Sequence, residues 1–309
     1  MGVSWNDGVD EILAGDLAAG FAYLTPAKGV AIVPMAPLGL RDREAGTLTL
    51  TTSLGLWRKL DRVRRNPGVA VAYHAREHGF GNRPGFVLVQ GRATFSSTPD
   101  RAWLESITPD WDRFLVPRSG GALGRALDVY YWQRVAIDIE VVRVVAYPDN
   151  AARQDPEVFG AERPAPPAPQ QEPTGGTEPR VSVESVAAKA ERLPHTLLGW
   201  CAADDLPEVV PVSSARPTAG SLGLDVPPGS VPLGGRRAGL TSHAFWPRMV
   251  GQEQRIYTGW LSADEDGSVR YAPHTKSGYR LPRSKLLYNV GCVSIARGMR
   301  GARRAGLAA

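Results

Sequence analysis

Cysteine is nearly absent: Cys201 and Cys292 are the only two in 309 residues. A pair so widely separated offers neither a disulfide framework nor the close spacing of a metal site. It reads as two buried small hydrophobes in a reducing compartment. Long apolar runs are missing as well. Gly68 to Tyr73 (GVAVAY) and Leu286 to Ile295 fall far short of the roughly 20 residues that a membrane helix needs. The N-terminal MGVSWNDGVDEIL is acidic where a secretory signal is basic and then apolar, so the expected location is cytoplasmic, with no membrane partner. Acidic residues stop after Asp266. Beyond it stand Arg270, Lys276, Arg280, Arg283, Lys285, Arg297, Arg300, Arg303 and Arg304, against an overall formal charge of +5.

Such a basic end could hold a phosphorylated ligand or a polyanion, or form a solvated helix face. Neither a zinc finger nor an aromatic RNA-binding motif accompanies the arginines, which disfavours a nucleic-acid partner. Ser284 can cap a helix running to about Arg304, with Leu286, Leu287, Val290, Val293 and Met299 as its apolar stripe. Hydrophobic residues at 43% and charged residues at 22% describe a folded protein with a sizeable core, and 309 residues favour two domains over one.

The break falls at Arg153 to Arg180. Six prolines occupy the twenty residues AERPAPPAPQQEPTGGTEPR, which reads as a partly extended, solvated linker. The expected organisation is a domain over 1–150, a linker over 151–180 and a second domain over 181–309. In the first, Val9, Ile12, Leu13 and Leu17 recur at helical spacing. Short β-rich runs follow at Phe21–Thr25, Val30–Pro34, Thr47–Thr52, Val69–Tyr73, Phe86–Phe95 and Val135–Tyr147. Helices are expected over Leu56–Arg65, ending before Asn66-Pro67, and from Pro99 to about Ile107 with Thr98 as N-cap. Many short strands and few helices argue for a mainly β, barrel-like fold and against a doubly wound dinucleotide fold.

The second half repeats this order. A helical lead-in precedes strands at Leu197–Ala202, Glu208–Ser213 and Ser221–Val226, a helix start at Gly234–Arg237, and a strand at Gln254–Leu261. Gly91 in VLVQGRATF and Gly259 in RIYTGWLSA sit alike, which points to an internal duplication.

The most informative stretch runs from Thr47 to His74. A hydroxyl-rich strand end, Thr51-Thr52-Ser53, precedes a Gly-containing turn and a helix start carrying Arg58-Lys59. Hydroxyls, free N–H groups at a helix N-terminus and two cations suit a phosphate monoester. A solvated basic helix face is the equal alternative, since Arg62, Arg64 and Arg65 follow.

These residues resemble the pyridoxamine 5′-phosphate oxidase-like split β-barrels, which bind FMN or the deazaflavin F420. Lys59 stands eight positions before the proline of Asn66-Pro67, a strand follows at Val69–Tyr73, and Val87, Val89, Gly91 and Ala93 match the family's alternating valines before Gly-x-Ala. The resemblance covers roughly residues 10–147. It departs from the family at Trp57, where serine is usual, and in a turn between Thr51 and Lys59 that is a residue or so longer.

What the resemblance implies is a tandem pair of split barrels forming an intramolecular pseudo-dimer, with cofactor at their junction. Arg58 and Lys59 would clamp the phosphate; Thr51, Thr52 and Ser53 would lie against the cofactor. The implied activity is hydride transfer between FMN and a small organic substrate. The alternatives are an F420-dependent reductase and a non-catalytic flavin, deazaflavin or haem carrier, as a monomer or homodimer.

Other motifs point less far. His74-Ala-Arg-Glu77-His78 matches a zinc pattern in letters, but that chemistry needs both histidines on one helix face and here the motif follows a strand. No metal is expected. GFGNRPG at 79–85 precedes a strand and reads as a loop, and GSVPLGGRR at 229–237 lacks the Lys-Ser/Thr of a P-loop. Arg236-Arg237 would occupy the place of Arg58-Lys59 in the repeat, as a second phosphate site or as surface. His195, His243 and His274 have no neighbouring nucleophile signature, so no catalytic triad can be assigned.

Overall fold

The computed structural model describes residues 2–116, 129–283 and 298–308. Its strands form two antiparallel sheets. The first holds β1 (Ala18–Leu24), β2 (Val30–Met35), β3 (Arg41–Asp42), β4 (Thr47–Ser53), β5 (Gly68–Ala75), β6 (Phe86–Phe95), β7 (Arg134–Tyr147) and β8 (Glu157–Gly160). The second holds β9 (His195–Cys201), β10 (Pro207–Pro211), β11 (Ser214–Thr218), β12 (Ser221–Asp225), β13 (Gly234–Phe245), β14 (Gln252–Ala263) and β15 (Val269–Leu281). Helices are α1 (Asp7–Gly15), α2 (Trp57–Arg65), α3 (Arg101–Ser106), α4 (Thr108–Phe114), α5 (Val129–Trp132), α6 (Val183–Arg192) and α7 (Met299–Arg304). The chain is mainly β.

The two sheets have one topology. The first runs β2-β1-β5-β6-β7-β4-β3 and the second β10-β9-β13-β14-β15-β12-β11, the same path with every strand in the same relative place. Even an irregularity recurs. The register shifts between Gln90 and Gly91 where β6 pairs with β7, and between Thr258 and Gly259 where β14 pairs with β15. At both points a neighbouring backbone fills the space a side chain would need: a Cβ on Gly91 would strike the carbonyl of Glu140, and one on Gly259 that of Ala272.

Strands β1 and β5 are buried along their whole length, because each has a core on both faces. Alternation sorts their residues. Phe21, Tyr23, Val69, Val71 and Tyr73 point into the first sheet's own core with α1 and α2. Ala22, Leu24, Ala70 and Ala72 point the other way, joining Ile32, Leu88 and, from the second sheet, Leu197, Cys201 and Val209. In β1 and β5, aromatic and valine side chains therefore fill the core while Ala22, Ala70 and Ala72 face the seam, and elsewhere along it backbones come close: a Cβ on Gly239 would strike the carbonyl of Val30. Polar contacts cross the seam too. Thr241 Oγ1 donates to Ile32 O at 2.8 Å, Gln90 Nε2 donates to Pro207 O at 2.7 Å, and buried Arg143 pairs with Asp204. Each fully buried aliphatic side chain in such a seam contributes roughly 1.5–3 kcal/mol.

Several local expectations are corrected. Gly234–Arg237 does not start a helix; it opens β13, the counterpart of β5. Asp100, not Thr98, caps the helix after β6, its carboxylate accepting from Trp103 N–H at 3.1 Å, so the helix starts at Arg101. The proline-rich stretch is more than solvated chain: β8 pairs with β7, Arg163 pairs with Glu208 at 2.9 Å, and Gln170 N–H donates to Gly235 O at 2.8 Å. Of the basic C-terminal helix, α7 is observed, whereas Ser284, Leu286, Leu287, Val290, Val293 and Arg297 lie outside the described residues. Among the described residues no helix is long and apolar enough to cross a membrane.

Candidate ligand site between the two sheets

Strand β4 ends in Thr51-Thr52-Ser53, all buried. Ser53 Oγ accepts from Gly55 N–H at 3.1 Å, capping a single 3₁₀ turn over Leu54–Leu56 that leads straight into α2. Helix α2 sends Leu60 and Val63 into the core and leaves Arg58, Arg64 and Arg65 exposed. Helix α7 packs on the turn through its glycines. A Cβ on Gly298 would strike the carbonyl of Gly55, and one on Gly301 the indole of Trp57.

A partly open cleft with a cavity volume of about 60 Å³ lies beside this turn. Thr51, Thr52, Lys59 and Arg134 line it from the first sheet and α2, with Trp111 and Leu115 from the α4 segment. Met249, Gln252 and Tyr279 line it from the second sheet, and Tyr279 Oη donates to Gln252 Oε1 at 2.9 Å.

Two cations, Lys59 and Arg134, line this cleft, and no acid is among its described lining residues. Lys59 is 7% exposed, and among the described residues its Nζ has the thioether of Met35 as its partner, 3.5 Å away. Burial, helped by the positive charge of Arg134, pushes its ammonium down to about 7. Arg134 donates from Nε to Thr51 Oγ1 at 3.1 Å and to the Thr51 carbonyl, and its guanidinium lies 4.9 Å from the Trp111 ring centroid. Thr52 Oγ1 is buried with no hydrogen-bond partner. Buried donors without an acceptor are costly, so this arrangement suits an arriving anion.

Of the five residues named from sequence, Thr51, Thr52 and Lys59 come together at the cavity. Ser53 serves as the cap. Arg58 is turned to solvent with its guanidinium 5.9 Å from the Trp57 ring centroid, and does not line the cavity. Arg134 was missed. It stands opposite Ser53 in the β4–β7 ladder, a register no local motif announces. Met249, Gln252 and Tyr279 come from the other half of the chain and carry no signature.

Among the described residues the second half has no equivalent site. Where α2 stands in the first half, β12 and β13 are joined by VPPGSVPL at 226–233. Arg236 is buried in β13 and donates to the carbonyls of Pro167, Pro232 and Leu233 at 2.8–3.2 Å. Arg237 donates to Gln170 Oε1 and lies over Trp260. Both arginines hold the proline-rich segment and the loop, so the matching of Arg236-Arg237 to Arg58-Lys59 is corrected. The H-x-x-E-H letters are likewise not helical: His74 ends β5 and His78 has a positive φ of 63°. Among the described residues no group of three or more His, Cys, Asp or Glu is arranged to hold a metal.

No family model matches the chain, and no curated protein matches it. Solved structures do. A conserved hypothetical protein from Mycobacterium tuberculosis is 17% identical over 48% of this chain and 88% of its own, with a TM-score of 0.36. A pyridoxamine 5′-phosphate oxidase-related FMN-binding protein from Nostoc punctiforme is 10% identical over 63% and 86%, with a TM-score of 0.29. An FAD-binding protein from Mesorhizobium loti is 19% identical over 49% and 91%, with a TM-score of 0.28. Likenesses of this size decide nothing about ligand or activity here.

Proposed function

We propose that the chain is an FMN-binding oxidoreductase with the phosphate of its cofactor in the cleft between the two sheets. The observation that carries this reading is the buried Lys59 ammonium, which lines the cleft together with Thr52 and Arg134, with no carboxylate among the described lining residues. Lys59, Arg134 and the hydroxyls of Thr51 and Thr52 would hold the phosphate through charge-assisted hydrogen bonds. Near pH 7 Lys59 takes up a proton as the dianion arrives, which restores its charge where the fold alone suppresses it. Thr52 Oγ1 gains the partner it lacks. Met35, Trp111, Leu115 and Met249 supply the apolar wall of the cleft and would shield the phosphate end of the cofactor from water. When bound, FMN supplies hydride chemistry toward a small organic substrate, so the protein's part is binding and orientation.

The same donors suit the phosphate of F420, and a carrier without turnover needs nothing more. Haem would have only the thioethers of Met35 and Met249 as axial ligands among the described lining residues. The two sheets are taken as domains over 1–150 and 181–309, arisen by duplication and working as one monomeric, cytoplasmic pseudo-dimer. The test is to titrate the purified chain with FMN, F420 and riboflavin. FMN should bind far more tightly than riboflavin, because riboflavin lacks the phosphate. Equal affinities would remove Lys59 and Arg134 from the reading.

A further inference from the structure

Four of the chain's five histidines gather on the seam between the sheets, and the phosphate site uses none of them. His74 ends β5; His195 opens β9; His243 lies in β13; His78 stands edge-on to Phe245. The hydrogen bonds assign their tautomers. His74 Nδ1 lies 3.0 Å from the Ala72 carbonyl, which can only accept, so Nδ1 carries the hydrogen and Nε2 is a bare lone pair. That lone pair faces His243 Nε2 at 3.0 Å. His243 must therefore donate from Nε2, which leaves its Nδ1 bare, buried and without a partner. Two neutral imidazoles from opposite halves thus share one hydrogen.

The surroundings carry charge of both signs. From the first sheet come Arg76, paired with Asp16, and Glu77. From the second comes His195, its ring centroid 5.3 Å from both other rings and its Nε2 3.1 Å from Glu77 Oε2. Phe245 stacks on His195, and six residues past His243 along the same chain lies Met249, in the wall of the phosphate cavity.

We propose that the His74–His243 contact is an acid-released latch between the halves and that its opening loosens the cavity wall formed by Met249 and Gln252. The consequence for the ligand rests on the FMN reading; the latch does not. One added proton has to sit beside Arg76 and His195, and a second sets two N–H groups head-on. Burial first, then the proximity of the other imidazoles, holds His74 down to about 3 and His243 well below its ordinary value. The unfolded chain binds protons below pH 6.5 and the closed latch does not, so stability is present above that pH and lost as pH falls.

The ligand-free full chain and His243→Gln, whose amide can still donate to His74, are unfolded in urea at pH 7.5, 6.5 and 5.5. Each closed, neutral histidine should lower the folding constant about tenfold per pH unit below 6.5, so the parent should lose one such factor more than the variant. A parent-to-variant ratio that stays constant with pH overturns the latch. If His243→Gln does not fold, imidazole nitrogen spectra of the parent decide: rings that stay neutral while the halves are packed and take up protons only as the halves part support the latch, and ordinary titration with the halves still packed overturns it. FMN titration of both proteins tests the coupling, since Lys59 and the ligand phosphate titrate alike in both and cancel in the ratio. A parent-to-variant affinity ratio that falls with acid supports the loosened wall, and a constant one overturns it. FMN that binds at no pH counts against the functional reading alone, because the unfolding comparison still decides the latch.

Discussion

The two halves share a strand order and a bulge position but differ in their connections. Between the fourth and fifth strands the first half places α2 with Lys59, and the second a loop with three prolines. Between the sixth and seventh, the first half inserts α3, α4 and α5, and the second a turn over Asp264–Ser268. Sheets are held by ladders and two-sided packing, so their paths persist, while connections run over the surface and can change. The difference locates the proposed site. Trp111, Leu115 and Lys59 all come from connections found only in the first half, and the second half contributes a wall.

The largest effect should come from the feature the halves share. Gly91→Ala and Gly259→Ala each drive a Cβ into a neighbouring strand's carbonyl and should each destabilise by about 2–4 kcal/mol in urea unfolding. Similar values would support one ancestral bulge; a neutral substitution at either position would break the equivalence.

The next prediction separates the halves. Lys59→Met should weaken FMN binding by about 1.5–3 kcal/mol while leaving the ligand-free chain at least as stable, because it removes a buried cation with only a thioether partner. In the parent, the folded pKa of Lys59 lies below its unfolded value. Ligand-free stability should therefore rise from about pH 7 toward 10, while FMN affinity falls about tenfold per pH unit above 7, since the ligand needs the ammonium. Calorimetry in buffers of different ionisation heat should register the proton taken up. Arg236→Met should do the reverse, costing about 1–3 kcal/mol of stability through the carbonyls it deserts and leaving FMN affinity unchanged.

Smaller still, Thr52→Val should stabilise the ligand-free chain by up to about 1 kcal/mol, by removing a buried hydroxyl without a partner, and should weaken FMN. Arg58→Ala should change either quantity by less than about 0.5 kcal/mol. A loss as large as that of Lys59→Met would restore Arg58 to the site.

Much of this contrast was legible in the sequence. Large-small alternation in FAY and VAVAY marks strands buried on both faces, and Gly91 and Gly259 carry the repeat. Thr51, Thr52 and Lys59 follow from a local strand-turn-helix pattern. Arg58 did not follow, because adjacent helix residues point about 100° apart and only packing shows which one faces inward. Arg134 depends on the β4–β7 register, and Met249, Gln252 and Tyr279 on how two halves dock. Gly234–Arg237 looked like a helix start because glycines before two arginines suit one. The ladder with β14 overrides that local preference.

The stoichiometry of FMN binding to the full chain, measured for the parent, Lys59→Met and Arg236→Met, tests the asymmetry of the halves most directly. One FMN per chain, lost with Lys59 and kept without Arg236, is the expected result. Two per chain, or one that survives Lys59→Met, would contradict a single phosphate site built by the first half.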